Sequence, residues 1–207
     1  MSQKIEPIQH GRYYHIYNRG INGEKLFREN TNYEYFLRLY EKYIEPVVDT
    51  FAYVLMPNHF HLLVRIKLEE EIPDSARPDR FRKPVRSNDR KKPYQYFSNL
   101  FNAYTKAFNK RHNRSGSLFE RPFHRIEITH EKYLRHLVFY IHNNPVKHGF
   151  ADTIPDYTWS SYLSIMSVKP TKLKRDSVIG WFEDRDNFRL FHQKNHAEKE
   201  IEQFLID

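Results

Sequence analysis

The chain has 207 residues, 34 Lys and Arg against 26 Asp and Glu, a formal net charge of +8 and no cysteine. That length fits one medium domain with an extension, and the lack of cysteine excludes disulfides and thiolate metal sites. No apolar run approaches the length of a membrane span and Met1-Ser-Gln-Lys-Ile-Glu lacks a signal-peptide core, so a soluble, cytoplasmic protein with no membrane partner is expected.

The 15 Tyr and 16 Phe can build a core in spite of the charge. A basic surface rich in aromatics favours a polyanionic partner, of which nucleic acid is the commonest. Residues 13–18 read as a strand, and Arg19-Gly20-Ile21-Asn22-Gly23 as a turn. A helix follows, with Thr31 and Glu34 spaced as a capping box. Tyr33, Phe36, Leu37, Tyr40, Tyr43 and Ile44 recur along one face of it, and Pro46 marks its end.

Residues 50–56 and 59–66 read as two strands joined around Met56-Pro57-Asn58. The second strand carries His59 and His61. A strand's side-chain period of two puts both imidazoles on one face, where they could share a metal ion. Such a pair alone is more often structural than metal-binding. Residues 68–93 mix Pro73, Pro78, Pro84 and Pro93 with dense charge, which predicts a mobile loop that either touches a phosphate backbone or only solvates.

Residues 94–112 predict a second helix. Its buried stripe is Phe97, Leu100, Phe101, Tyr104 and Phe108, and its basic flank holds Lys106, Lys110 and Arg111, with Arg114 beyond. Tyr104 falls in that stripe, so it reads as core and not as a nucleophile. Residues 122–129 read as a fourth strand. Thr129 is the expected N-cap of a third helix over 130–144, stopped at Asn144-Pro145. On the flank of its stripe of Leu134, Leu137, Val138 and Ile141, Tyr140 and Asn144 sit one turn apart. They are a candidate nucleophile and a candidate third metal ligand; on the residues alone, the simpler account is that Tyr140 packs and Asn144 caps. Residues 150–207 are less regular. Trp159 marks a packed surface segment, and 181–207 reads as a helical tail that could dock through Phe188, Phe191, Ile201, Phe204 and Leu205.

The order strand, helix, strand, strand, helix, strand, helix predicts an α+β fold, a ferredoxin-like or RRM-like antiparallel sheet with helices on one face. The other face is expected to be free, with His59 and His61 on it or near its edge. The organisation expected is a catalytic domain over 1–165 and a helical extension over 166–207.

Two stretches carry a family resemblance. Met56-Pro-Asn-His-Phe-His-Leu-Leu-Val64 resembles the signature strand of the HUH single-tyrosine transposases, in which two histidines flank a hydrophobic residue. Tyr140-Ile-His-Asn-Asn-Pro-Val-Lys-His-Gly149 resembles the tyrosine helix of their REP-associated branch. Residues 104–121 and Trp159-Ser-Ser-Tyr162 are also similar, and the likeness spans about residues 12–163. The resemblance implies a metal-dependent enzyme that nicks single-stranded DNA and transfers strands. In it, His59, His61 and Asn144 bind Mg²⁺ or Mn²⁺ and Tyr140 attacks phosphorus, leaving a 5′-phosphotyrosine. Asn at the third ligand position fits the REP-associated branch. The implied partner is single-stranded or hairpin DNA.

Candidates to grip that DNA are Asn18, Arg19, Lys110, Arg111, Arg114, Arg121 and Arg125; each is about as well explained as ordinary surface charge. A proton acceptor for Tyr140 is not identified, although His136 and His142 are near it in sequence. One tyrosine per chain leaves open whether the site forms within one chain or across a swapped homodimer. The main alternative is a non-catalytic RRM-like nucleic-acid-binding module. A histidine-triad hydrolase would need the alternation to continue where Leu63 stands, and relaxases commonly place the tyrosine before the histidines.

Overall fold

The computed structural model describes residues 7–73 and 92–193. Its strands are β1 (Tyr13–Arg19), β2 (Val48–Met56), β3 (His59–Ile66) and β4 (His124–Ile128). They form one antiparallel sheet in the order β2-β3-β1-β4. The helices are α1 (Asn30–Tyr43), α2 (Pro93–Arg111), α3 (Lys132–Lys147), α4 (Tyr162–Met166), α5 (Arg175–Trp181) and α6 (Arg185–Gln193). Among the described residues no helix is long and apolar enough to cross a membrane. The expected charged loop falls, over 74–91, outside the described residues, as do Ile201, Phe204 and Leu205.

Strand β3 explains the layering. Phe60, Leu62, Val64 and Ile66 point into one core with α1 and α2, and Leu63 points into a second core with α3. A strand apolar on both faces needs cover on both. The α+β class and the antiparallel sheet are as expected, and α1 and α2 lie on one face as expected. The opposite face, expected to be free, is covered by α3 and by residues of α4, α5 and α6, among them Ile165, Val178 and Phe188. The sequence marked Phe188 for docking but could not say on which layer it docks.

A bulge in β2 between Thr50 and Ala52 lets consecutive Phe51 and Ala52 both enter the second core. The outer edge of β2 is covered rather than exposed. Leu55 N–H donates to Trp159 O at 2.9 Å, Ser161 N–H to Tyr53 O at 3.0 Å and Lys174 N–H to Thr50 O at 2.9 Å, which removes an open strand edge. Trp159 packs as expected, its ring stacked on Tyr33 at 4.5 Å.

Helix boundaries differ from expectation at the caps. Helix α1 starts at Asn30, so Thr31 lies inside it and the Thr31–Glu34 capping box does not form; no side chain caps this end. Helix α3 starts at Lys132 after a turn in which Tyr133 N–H donates to His130 O, so Thr129 is not its cap. Pro145 does not stop α3, which runs to Lys147. A proline so close to the C-terminus forfeits only its own backbone donor, and the end is closed by His148 N–H donating to Asn144 O at 3.0 Å.

Candidate metal and nucleophile site

The site lies between β3 and α3. His59 and His61 share a face of β3 because they are two apart, and their rings meet edge-on at 5.2 Å. His61 is 2% exposed, and Asn144, on α3, is 1% exposed. Tyr140, one turn before Asn144, sets its ring edge-on to His61 at 5.4 Å. Both halves of the site therefore come from one chain in this structure.

Local bonds fix the orientation of these groups. The Asn58 side-chain carbonyl accepts from His59 Nδ1–H at 2.7 Å, which places the lone pair of a neutral His59 on Nε2. Asn144 Nδ2 donates to Tyr140 O at 3.1 Å, tying the amide to the preceding turn. The other end of that amide, Oδ1, is buried with no hydrogen-bond partner, and so is His61 Nε2. Leaving such an atom buried and unsatisfied costs about 1–3 kcal/mol. Two of them, an imidazole nitrogen and an amide oxygen beside a second imidazole, form a neutral donor set of the type that suits a divalent ion. Among the described residues no three His, Asp or Glu side chains gather for a metal, so such a site needs the Asn144 oxygen. Burial holds His61 well below the usual imidazole pKa, with its His15, His59 and His148 neighbours adding to the effect, so the ring stays neutral and able to ligate.

Three aromatic neighbours escaped the sequence reading. His15 on β1 is fully buried, and its Nε2 lies 2.9 Å from His61 Nδ1. Tyr17 is the cross-strand partner of both His61 and His124 and stacks on each, at 5.5 and 4.8 Å. His148, exposed at the end of α3, meets His59 edge-on at 5.1 Å. Alternation of Tyr13, His15 and Tyr17 was the available signal for the first two, but their facing β3 depends on a strand register that the sequence does not print.

The residues proposed to grip DNA divide into three groups. Arg19 is the cross-strand partner of His59 and pairs with Glu120 at 3.4 Å. Asn18, Arg121 and Arg125 line a separate cleft of about 520 Å³ between α2 and β4, on the α1–α2 side of the sheet. Within it Asn18 is 1% exposed and bonds Glu120 O at 3.3 Å, so it holds the strand end and is poorly placed to reach a phosphate. Arg111 and Arg114 are tied to Glu29 and Glu24 near the end of α2, where Lys110 is exposed. Only Arg19 is brought beside the histidine pair. Of the two other histidines near Tyr140 in sequence, His142 is fully buried and bonded to His192 and Ser161, and His136 packs on Phe191. Tyr104 is 1% exposed and its hydroxyl donates to Leu26 O at 2.6 Å, which makes it a core residue as expected.

Fold and site together define an α+β sheet protein that sets a His-x-His strand against a tyrosine-bearing helix. In sequence and in fold the chain is similar to REP-associated tyrosine transposases. It is 27% identical over 114 residues to a Haemophilus influenzae protein provisionally named as one, a match covering 55% of this chain and 58% of that protein. A solved structure of a REP-associated tyrosine transposase bound to a REP hairpin superposes with a TM-score of 0.58 and 18% identity, covering 82% of this chain and 89% of that one. No family profile matches the chain.

Proposed function

We propose that the chain is a metal-dependent tyrosine transposase that nicks and rejoins single-stranded DNA at a hairpin. The observation that carries this reading is the pair of buried, unpartnered ligand atoms, His61 Nε2 and Asn144 Oδ1, set beside Tyr140. His59 and His61 of β3 and Asn144 of α3 hold Mg²⁺ or Mn²⁺. Three neutral ligands leave the ion's full charge to polarise a phosphodiester oxygen when it is bound. Ligand softness favours Mn²⁺ somewhat over Mg²⁺.

Tyr140 attacks phosphorus through its phenolic oxygen. The bond to the 3′ oxygen breaks, which leaves a 5′-phosphotyrosine and a free 3′-OH. The covalent link conserves the phosphodiester for rejoining, which strand transfer requires and hydrolysis does not. Arg19, next to His59 across the strands, neutralises the phosphate that enters the site. Likeness to the hairpin-bound structure supports a hairpin as substrate.

The burial of Tyr140 to 4% exposure favours a second reading, a binding module that performs no chemistry. A labelled hairpin oligonucleotide incubated with Mn²⁺ and run on a denaturing gel separates the two. The transposase reading expects a protein–DNA adduct from the wild type and none from Tyr140→Phe. An adduct that persists in Tyr140→Phe removes Tyr140 from its role, and hairpin binding without any adduct favours the binding module.

A further inference from the structure

Beside the histidine pair stands His15, whose Nδ1 is buried without a hydrogen-bond partner. This residue lies at the centre of the sheet, flanked by β3 and β4, and is fully buried. Its ring is stacked on His61 at 5.1 Å with 23° between planes, and on Tyr17 at 4.9 Å. Tyr140 meets it edge-on at 5.9 Å. The contact with His61 is also a hydrogen bond, His15 Nε2 to His61 Nδ1, at 2.9 Å.

Two neutral imidazoles that share one such bond have two arrangements. In the first, His61 Nδ1–H donates to His15 Nε2, and His61 turns a lone pair on Nε2 into the site. In the second, His15 Nε2–H donates, and the hydrogen of His61 sits on Nε2, where it blocks ligation. His59 does not face this choice, because the Asn58 carbonyl can only accept. His15 can do either, and so the readiness of His61 depends on it.

We infer that His15 is a positioning residue for the metal site: by accepting from His61 Nδ1–H it fixes the ring and the tautomer in which His61 Nε2 can ligate. The inference rests on the metal-dependent reading above. Metal-bound histidines generally donate their second nitrogen to such a partner, and loss of that partner typically weakens metal binding about 10–100-fold. The usual partner is a carboxylate, a carbonyl or a water. A neutral imidazole here adds no charge, so the ion keeps its full effect on a phosphodiester.

The test is Mn²⁺ binding by the full chain, followed through the electron paramagnetic resonance of free Mn²⁺ and without DNA. His15→Phe keeps a ring in the stack but removes the acceptor. It is expected to bind Mn²⁺ about 10–100-fold more weakly than wild type. His15→Gln places an amide oxygen about where Nε2 stands and is expected to recover most of the loss. Wild-type affinity in His15→Phe overturns the role of His15 and leaves the metal site intact. No binding by wild type overturns the metal-dependent reading and this inference with it. Long-range ¹H–¹⁵N spectra of wild type with saturating Mg²⁺ do not depend on any variant folding. They are expected to show His61 protonated on Nδ1 and His15 on its own Nδ1; a proton on His15 Nε2 contradicts the inference.

Discussion

At the scale of single residues, the same side-chain type takes opposite roles according to its surroundings. Tyr104 and Tyr140 are both buried tyrosines on helices flanking the sheet. Tyr104 spends its hydroxyl on Leu26 O, whereas Tyr140 lies against His61 and His15. Tyr104→Phe should lower stability by about 1–2 kcal/mol in urea denaturation, because the Leu26 carbonyl is left buried without its donor. Adduct formation with hairpin DNA should be unchanged; its loss would transfer the nucleophile's role. Arg19 and Arg111 form a second contrast. Arg19→Ala should weaken hairpin binding and make it about one unit less steep in log salt, as expected when one phosphate contact is removed. Arg111→Ala, at the end of α2 rather than beside the histidine pair, should change neither. Equal effects from the two would place the DNA elsewhere on the surface. His59 and His61 were legible because a strand's period is fixed, and Tyr140 and Asn144 because a helix's is. His15 was not, because it meets His61 across 46 residues by strand register alone.

At the scale of elements, the C-terminal helices do more than extend the chain. His192 Nδ1–H donates to Phe188 O at 2.8 Å, which leaves its Nε2 to accept. His142 Nδ1–H must then donate to His192 at 2.9 Å, and Ser161 Oγ–H to His142 Nε2 at 2.7 Å. Ser161 Oγ in turn accepts from Tyr53 N–H at 2.9 Å. One chain of bonds with a single direction thus links α6, α3, the segment before α4 and strand β2. His192→Ala should break it and leave His142 with a buried, unmet donor, at a cost of about 1–3 kcal/mol. Hydrogen exchange should quicken in α6 while β3 stays protected. Uniform quickening would show instead that α6 and the sheet open as one unit. The sequence named α2's stripe correctly and marked Phe188 for docking, since both follow from helical periodicity. It misplaced the caps of α1 and α3 because a capping spacing records a local option, and those chain ends are closed by backbone bonds instead.

At the scale of the whole molecule, the buried histidines make the fold sensitive to acid. Burial holds His15 down to about 3, and burial with the His192 neighbour holds His142 well below its ordinary value. The unfolded chain takes up protons at these sites below about pH 6.5 and the folded chain does not. Their contribution to stability is therefore fully present above pH 6.5 and is lost as the pH falls, down to about 3 for His15. The metal-free protein should show a melting temperature that falls steadily from pH 7 to pH 4; a flat profile would mean that these rings are charged in the fold. The two-sided sheet was the least legible feature at this scale. Periodicity identifies buried residues, but whether α3 and the C-terminal helices cover the histidine face is decided by packing. The same packing brings Tyr140 to His61 and so assembles the site. The most direct test of that assembly is mass spectrometry of the protease-digested protein after reaction with a hairpin oligonucleotide and Mn²⁺. The expected result is a 5′-phosphonucleotide on the peptide that carries Tyr140, absent when His61 is changed to Ala; modification at any other tyrosine, or at Tyr140 without His61, would contradict it.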